Sequence, residues 1–393
     1  MKTKLGDVCE IQNGFAFKST EFKSSGIPLL RISSFDDGAV FLDDKTVYVD
    51  SSYLEQKSDF KVEKGDILIA LSGATTGKYG IYKYNYPSLL NQRVGLLRSG
   101  STKGLFGKYF YFYLSILKKE ILRKAGGAAQ PNISTKAISE LEIPLPPLEE
   151  QKQIAAILDA ADELRQKDKA IIARYDELTQ SLFLDMFGNP FLNSKGFQMC
   201  NLGEQVSKVQ IGPFGSQLHK HDYIEGGVPL INPTHIYDKK VIPDYSFSIN
   251  EDKYNELTNY HLKEGDLIMG RRGEMGRCAL ITSHENGWFC GTGSLFIRPS
   301  KSINPSFLLF LISSVDGVDY LEHEAKGVTM KNLNKGIIER IRFGLPSINS
   351  QDLFAGRVNL IASQKVTAQK CLSKSEALFD SLLQKAFKGE LTN

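Results

Sequence analysis

Apolar residues along the chain follow two patterns, and each pattern occurs twice. Compact strand-like runs come first: GDILIA, GIYKY and VGLLRS in the first half, GDLIMG and GSLFIRP in the second. Bounded by glycine, lysine and aspartate, such runs predict short strands in a sheet. One helical segment accompanies each set, around Leu105–Lys124 and Pro305–Ala325. Prolines then close each globular stretch, because the residue before proline is pushed out of the helical region. Beyond them the period changes. From Glu149 to about Phe187 there is neither proline nor glycine. Ile154, Ile157, Ala161, Leu164, Ile171, Tyr175, Leu178 and Leu182 recur there at three- and four-residue steps, predicting a coiled-coil seam that Asp168 interrupts. A second long helix, about Ser350 to Lys388, repeats the pattern less cleanly with Phe354, Val358, Ile361, Ala368, Cys371, Leu378 and Leu382. Gly356 weakens its first turns by about 1 kcal/mol relative to alanine.

The two halves are copies of one unit. EKGDILIA ending at Ala70 returns as KEGDLIMG ending at Gly270, and PLLRI from Pro28 as PLINP from Pro229. SGATTGKYGI from Ser72 matches RGEMGRCAL from Arg272, Asn132 meets Asn332, and Gln151 meets Gln351. The offset stays near 200 residues, which makes an internal duplication the simplest account. The expected class is α+β: two repeated mixed α/β domains, residues 1–148 and 197–349, joined by two long helices, 149–187 and 350–388, forming an antiparallel coiled coil. Residues 188–196 form a linker and 389–393 a tail.

Charge supports pairing of the helices. Nine acids against five bases give the first a net −4, whereas six bases against three acids give the second +3. Each such surface pair contributes little, and the alternative is that each helix folds back on its own domain. A Gly188-Asn189-Pro190 break after the first helix lets the chain reverse. A helix of about 38 residues is roughly 55 Å long. Antiparallel pairing would hold the two domains at opposite ends of such a rod, spanning on the order of 15 base pairs of duplex.

The remaining bulk properties restrict the setting. A formal net charge of +3 over 393 residues does not by itself argue for nucleic acid. Five scattered cysteines without a Cys-x-x-Cys pair argue against a disulfide framework or zinc knuckle and for a reducing compartment. With no signal peptide and no span-length apolar run, a cytoplasmic location away from membranes is expected.

GAAQPNISTKAISELEIPLPPLEEQKQIAAIL, from Gly127 to Leu158, resembles the end of a target-recognition domain and the start of the central helix in the specificity subunits of type I restriction–modification enzymes. LGDVCEIQNGFAFKS, KGDILIALSGATTGKYGI and LLNQRVGLLRS in the first half, and LGEQVSKVQIGPFGSQL and GDLIMGRRGEMGRC in the second, resemble the same family. The second copy departs from the pattern, with GVTMKNL in place of QPNIS and PSINSQ in place of PPLEEQ. The resemblance implies a non-catalytic subunit that chooses the DNA sequence, each domain reading half of an asymmetric bipartite site. Two modification (methyltransferase) subunits and motor–nuclease subunits would be its partners, and parts of both long helices would dock the modification subunits. The chain itself would hold no cofactor; the partners would bring S-adenosylmethionine, ATP and Mg2+.

Base edges are read mainly by Arg, Lys, Asn, Gln, Ser and Thr. In the first domain that selects Thr75, Thr76 and Lys78 of the Ser72–Tyr79 loop, with Arg31, Ser33, Asn91, Gln92, Arg93, Gln130 and Asn132. In the second it selects Arg271, Arg272 and Arg277, with His219, Lys220, Asn232, Thr234, His235, Thr292, Lys331 and Asn332. These loops also read as ordinary polar turns whose glycines serve backbone geometry. The adjacent Arg271 and Arg272 suit phosphate or guanine.

Catalytic motifs are weak. GATTGK at Gly73–Lys78 is one residue short of a phosphate-binding loop, and Tyr79 stands where Ser or Thr should meet magnesium. Asp244 with Glu251, Asp252 and Lys253 faintly resembles a nuclease core, but Ser51, Ser52 and Tyr53 occupy the matching positions of the other copy. Asn189-Pro190-Phe191 echoes an amino-methyltransferase motif without an upstream glycine-rich fingerprint. His219, His221 and Asp222 lack the further ligand that a metal shell needs. The competing readings are a stand-alone DNA methyltransferase or endonuclease, and a coiled-coil adaptor for protein or RNA.

Overall fold

The computed structural model describes residues 2–36, 38–99, 104–126, 131–214, 217–325 and 332–391. The chain divides into two compact units, residues 1–169 with 370–393 and residues 170–369. The principal helices are α1 (Gly107–Ala125), α2 (Leu148–Phe187), α3 (Pro305–Ser313), α4 (Val315–Glu324) and α5 (Ile348–Lys388). The unit boundaries fall inside α2 and α5, so each unit owns one mixed domain and one segment of each long helix.

In the first unit a six-stranded sheet runs Cys9–Asn13, Val94–Ser99, Ile67–Ala70, Tyr79–Ile81, Gly38–Val40, Phe35–Asp36. A four-stranded sheet, Val47–Val49, Ile27–Leu30, Ser88–Leu90, Lys61–Val62, has a parallel pair at its centre, with Leu29 beside Leu89. The strand Ile67–Ala70 is apolar throughout because both its faces are covered. Ile67 and Ile69 pack with α1 residues Phe110, Leu114 and Leu117, while Leu68 and Ala70 pack with Leu30, Leu90 and Leu96. Lys2–Lys4 pairs with Glu142–Pro144 and ties the start of the domain to its end.

The second unit repeats this plan. Leu267 and Met269 meet the α3 side chains Phe307, Leu308 and Leu311, whereas Ile268 joins the opposite cluster with Leu230, Phe289 and Phe296. Gln198–Asn201 pairs with Arg342–Leu345 as the counterpart of the first unit's closing ribbon. Arg98 holds Asp66 through two hydrogen bonds of 2.9 and 2.6 Å, and Arg298 holds Asp266 at 2.8 and 2.7 Å.

One expected helix is two. The segment beginning at Pro305 breaks at Ser314, whose extended backbone caps α4 and whose hydroxyl accepts from the Gly317 amide at 3.0 Å. Gly317 lets the chain fold back onto α3, since a Cβ there would lie 2.2 Å from the Leu311 carbonyl oxygen.

The long helices pair antiparallel within each unit. In the first, the Arg165 guanidinium lies 4.3 Å from the Phe379 ring and Lys169 sits 3.7 Å from Glu376. In the second, Lys365 bonds Asp176 at 2.5 Å and Phe354 packs on Phe183 and Phe187. The buried or half-buried stripe of α2 is Ile154, Leu158, Ala161, Arg165, Asp168, Ile172, Tyr175, Thr179, Leu182 and Met186. That of α5 is Phe354, Val358, Ile361, Lys365, Ala368, Leu372, Ser375, Phe379, Leu382 and Ala386. Both stripes step by four and three, position for position.

The expected seam is therefore half right. Ile154, Ala161, Tyr175, Leu182, Phe354, Val358, Ile361, Ala368 and Leu382 lie on the stripes, and Asp168 is part of its own rather than an interruption. Ile157, Leu164, Ile171, Leu178, Cys371 and the counterpart Leu378 are exposed. The inward row one residue along is more polar and hides in the apolar count. Arg165 fits there because its stem covers apolar surface while its head pairs with Asp162 and stacks on Phe379. Thr179 fits because its hydroxyl donates to the Tyr175 carbonyl at 2.8 Å. Among the described residues, no helix is long and apolar enough to cross a membrane.

Candidate nucleic-acid interface

At one rim of each domain, three loops meet through main-chain bonds. In the first unit Ile133 donates to the Leu71 carbonyl at 2.8 Å, Gly73 to Pro131 at 3.0 Å, and Leu71 to Arg93 at 2.9 Å. In the second, Leu333 donates to Arg271 at 2.9 Å and Arg271 to Gly293 at 3.1 Å. Gly73 and Gly273 both sit at φ +82°, a conformation open to glycine and costly for other residues. The backbone frame of the rim is thus duplicated. Its side chains are not.

In the first unit the rim encloses a cleft of about 510 Å³, lined in part by Ser72, Gln92, Arg93, Asn132 and Ser134. It thereby gathers three of the sequence candidates, Gln92, Arg93 and Asn132, all exposed. Asn13 and Ser134 also line it and were missed; the Asn13-Gly14 pair signalled only a turn. Among the described residues, the buried Ser72 and Thr75 hydroxyls have no hydrogen-bond partner. Buried hydroxyls of that kind are costly unless something satisfies them.

Thr76 is a correction. It is buried, and its hydroxyl donates to the Gly73 and Pro131 carbonyls at 2.7 and 2.9 Å, so it holds the loop's shape rather than facing a ligand. Lys78 is half-buried on the same loop. Asn91 is half-buried in the turn before Gln92, its carbonyl accepting from the Val94 amide at 2.9 Å. Arg31 and Ser33 are exposed outside the residues that line the cleft, Arg31 with its guanidinium 5.6 Å from the Phe22 ring. Gln130 lies outside the described residues.

In the second unit Arg271 is only 5% exposed. Its Nε donates to Asn332 Oδ1 at 3.1 Å, and its guanidinium carbon lies 5.2 Å from the centroid of the exposed Phe214 ring. Phe214 escaped the sequence reading, which sought polar groups; an aromatic between Pro213 and Gly215 was the available signal. Burial, and then the charge of Arg272, hold the Arg271 pKa below its ordinary value. Arg272 and Thr292 are exposed.

Arg277 is a second correction. It is paired with Glu274 and donates to the Pro233 carbonyl at 3.3 Å, so its charge is already answered. Asn232 Oδ1 accepts from the Gly293 amide at 3.3 Å, and His235 Nδ1 lies 3.0 Å from the Leu230 carbonyl. Both of these shape the turn around the exposed Thr234. His219 and Lys220 are exposed on a separate turn, where the buried Asp222 carboxylate accepts from the His219 amide at 2.6 Å. Lys331 lies outside the described residues.

Nothing described here assembles a metal shell: no group of three His, Cys, Asp or Glu is placed to hold an ion among the described residues. Asp244 instead caps its own turn by accepting from the Ser246 amide at 3.0 Å. Two copies of one backbone frame, each displaying a different set of polar side chains, make up a repeated module.

Comparison with known proteins places that module. The family model described as the type I restriction modification DNA specificity domain matches residues 1–174 and again 205–359. The chain belongs to this family, whose members are the non-catalytic, DNA-sequence-recognition subunits of type I restriction–modification systems. It is 25% identical to the type I restriction enzyme EcoBI specificity subunit of Escherichia coli, an alignment spanning all of this chain and 86% of that protein. It is 35% identical over 189 residues to the MjaVIII specificity subunit of Methanocaldococcus jannaschii, spanning 46% of this chain and 44% of that protein. The crystal structure of a type I restriction–modification S subunit from M. genitalium shares the fold. Its TM-score is 0.56 at 19% identity, covering 98% of this chain and 96% of that one.

Proposed function

We propose that the two domains each read one half of an asymmetric bipartite site on duplex DNA, with the long helices setting the gap. The observation that carries this reading is the duplicated rim with exchanged side chains. Leu71, Ser72, Lys78, Gln92 and Arg93 of the first copy stand where the second has Arg271, Arg272, Arg277, Thr292 and Gly293. One frame with two side-chain sets is suited to two half-sites of different sequence, because groove-facing side chains decide which base pairs are accepted. A helix of 40 residues, the length of α2, measures about 60 Å, enough to separate readers by more than one turn of duplex.

The docking of two methyltransferase subunits on the long helices belongs to the same proposal. Support comes from the exposed apolar row Ile157, Leu164, Ile171 and Leu178 on α2, which recurs every seventh residue. Motor–nuclease subunits would join the restricting form. This chain would carry no cofactor, and its partners would supply S-adenosylmethionine, ATP and Mg2+ to DNA in the cytoplasm.

The test is a methylation map of the source genome with and without this gene. A split motif with two unlike halves should vanish on deletion. Persistence of every methylated motif, or loss of a single uninterrupted one, would refute the reading.

A further inference from the structure

We infer that Arg271 is a base-reading residue of the second domain, specific for guanine, whereas its neighbour Arg272 serves the phosphate backbone. The inference rests on the second domain reading DNA through its loop rim.

Arg271 is in an unusual position for a cation. It is nine-tenths buried, yet no carboxylate pairs with it among the described residues. Among the described residues its one side-chain hydrogen bond runs from Nε to Asn332, and the Phe214 ring lies alongside the guanidinium. Removing a guanidinium from water without a counter-charge opposes folding, so stability does not account for it. Its partner is expected from outside the chain.

The geometry favours a base over a phosphate. With Nε committed to Asn332, the two Nη groups form the remaining free end, and neither has a partner among the described residues. Two parallel N–H donors match the O6 and N7 acceptors of guanine in the major groove. Adenine presents an amino donor there, and cytosine does likewise, so a rigid all-donor fork discriminates against both. Phosphate contacts call for reach rather than a fixed plane, and that description fits the exposed Arg272.

The two domains also exchange this arginine between neighbouring backbone positions. In the first, Leu71 donates its amide to the carbonyl of Arg93; in the second, Arg271 donates to Gly293. Each rim thus keeps one arginine at the same pair of residues, mounted on one side in the first copy and on the other in the second.

The experiment selects binding sites from a randomised duplex DNA library with the full chain assembled with its methyltransferase subunits. Wild type should return a two-part motif. Arg271→Ala and Arg271→Gln should lose preference for one guanine in one half-site by roughly 5- to 150-fold, with every other position unchanged. The glutamine variant keeps a polar side chain but not the all-donor fork, so it decides the matter should the alanine variant unfold. Arg272→Ala should return the wild-type motif at lower recovery. An unchanged motif from Arg271→Gln, with or without weaker binding, overturns the inference and leaves the two-reader proposal standing. Absence of any motif from wild type would remove the proposal itself, and this inference with it.

Discussion

Gln151 and Gln351 are both fully buried, and each makes the same three hydrogen bonds at the start of its long helix. Gln151 Oε1 accepts from the Phe106 amide at 2.9 Å, and its Nε2 donates to the Gly104 and Pro146 carbonyls, both at 2.8 Å. Gln351 accepts from the Asn304 amide at 2.8 Å and donates to the Ser302 and Pro346 carbonyls at 3.3 and 2.9 Å. One carboxamide thereby fastens the first turn of each long helix to the loop before the domain helix and to the prolines that end the domain.

Removing that clamp should destabilise its unit. Gln351→Ala would leave a buried amide and two carbonyls short of partners, at a cost of about 3 kcal/mol. Gln351→Glu keeps the acceptor but sets a buried carboxylate oxygen against the Ser302 and Pro346 carbonyls, and should be destabilised at least as much as alanine. Urea denaturation of the purified chain measures both. A Gln351→Ala midpoint equal to wild type would show that water satisfies those groups.

Much of this was readable in the sequence because the duplication exposes it: GDILIA against GDLIMG located the buried strands, and the proline runs located the helix starts. The register of the helix pair was not readable in the same way. Ile154, Ala161 and Tyr175 fix one edge of the stripe, and the other edge can fall three or four residues on. The row at Ile157 and Leu164 is the more apolar, yet Leu158 and Arg165 face inward. Phe379 on α5 explains why an arginine belongs there. Candidate site residues divided similarly. Composition could nominate Thr76 and Arg277, but which hydroxyls and charges were already satisfied inside the loop was a tertiary property.

Cysteine labelling tests that register. Cys371 was expected in the seam and is instead exposed. Cys9, Cys278 and Cys290 are buried, and burial pushes the Cys278 thiol up to about 12 and raises that of Cys290 as well. Cys200 is half-buried, and burial pushes its thiol up to about 11. Thiolate is the reactive form, so a maleimide at neutral pH should modify Cys371 in the folded chain well before any other cysteine. Peptide mapping after brief labelling reads the site. Protection of Cys371 in the isolated chain would restore it to the seam.

The outward row offers a separation of stability from assembly. Leu164 and Leu178 are 45% and 50% exposed, so replacing either with serine should change unfolding free energy by no more than about 0.5 kcal/mol. Phe379→Ala or Phe183→Ala, on the inner side, should cost about 3–5 kcal/mol. If the methyltransferase subunits cover the outer row, the double variant Leu164→Ser with Leu178→Ser should weaken co-purification with them while melting like wild type. Unimpaired assembly would move their docking surface elsewhere.

Glu274 pairs with one of the arginines of the second rim. Its carboxylate neutralises Arg277 beside the exposed Arg272, and it would lie near phosphates if this rim faces DNA. Glu274→Gln removes a negative charge and frees a guanidinium, which should tighten binding to non-target duplex. Each additional phosphate contact steepens the logarithmic salt dependence by about 0.9 for B-form DNA. Fluorescence anisotropy between low and moderate salt should therefore show a slope steeper by about one for Glu274→Gln. Arg277→Ala, whose charge is already answered, should leave the wild-type slope nearly unchanged, whereas Arg272→Ala should reduce it by about one. If Glu274→Gln raises neither the affinity nor the slope, then this loop does not approach the phosphate backbone, and the assignment of the second rim to DNA fails with it.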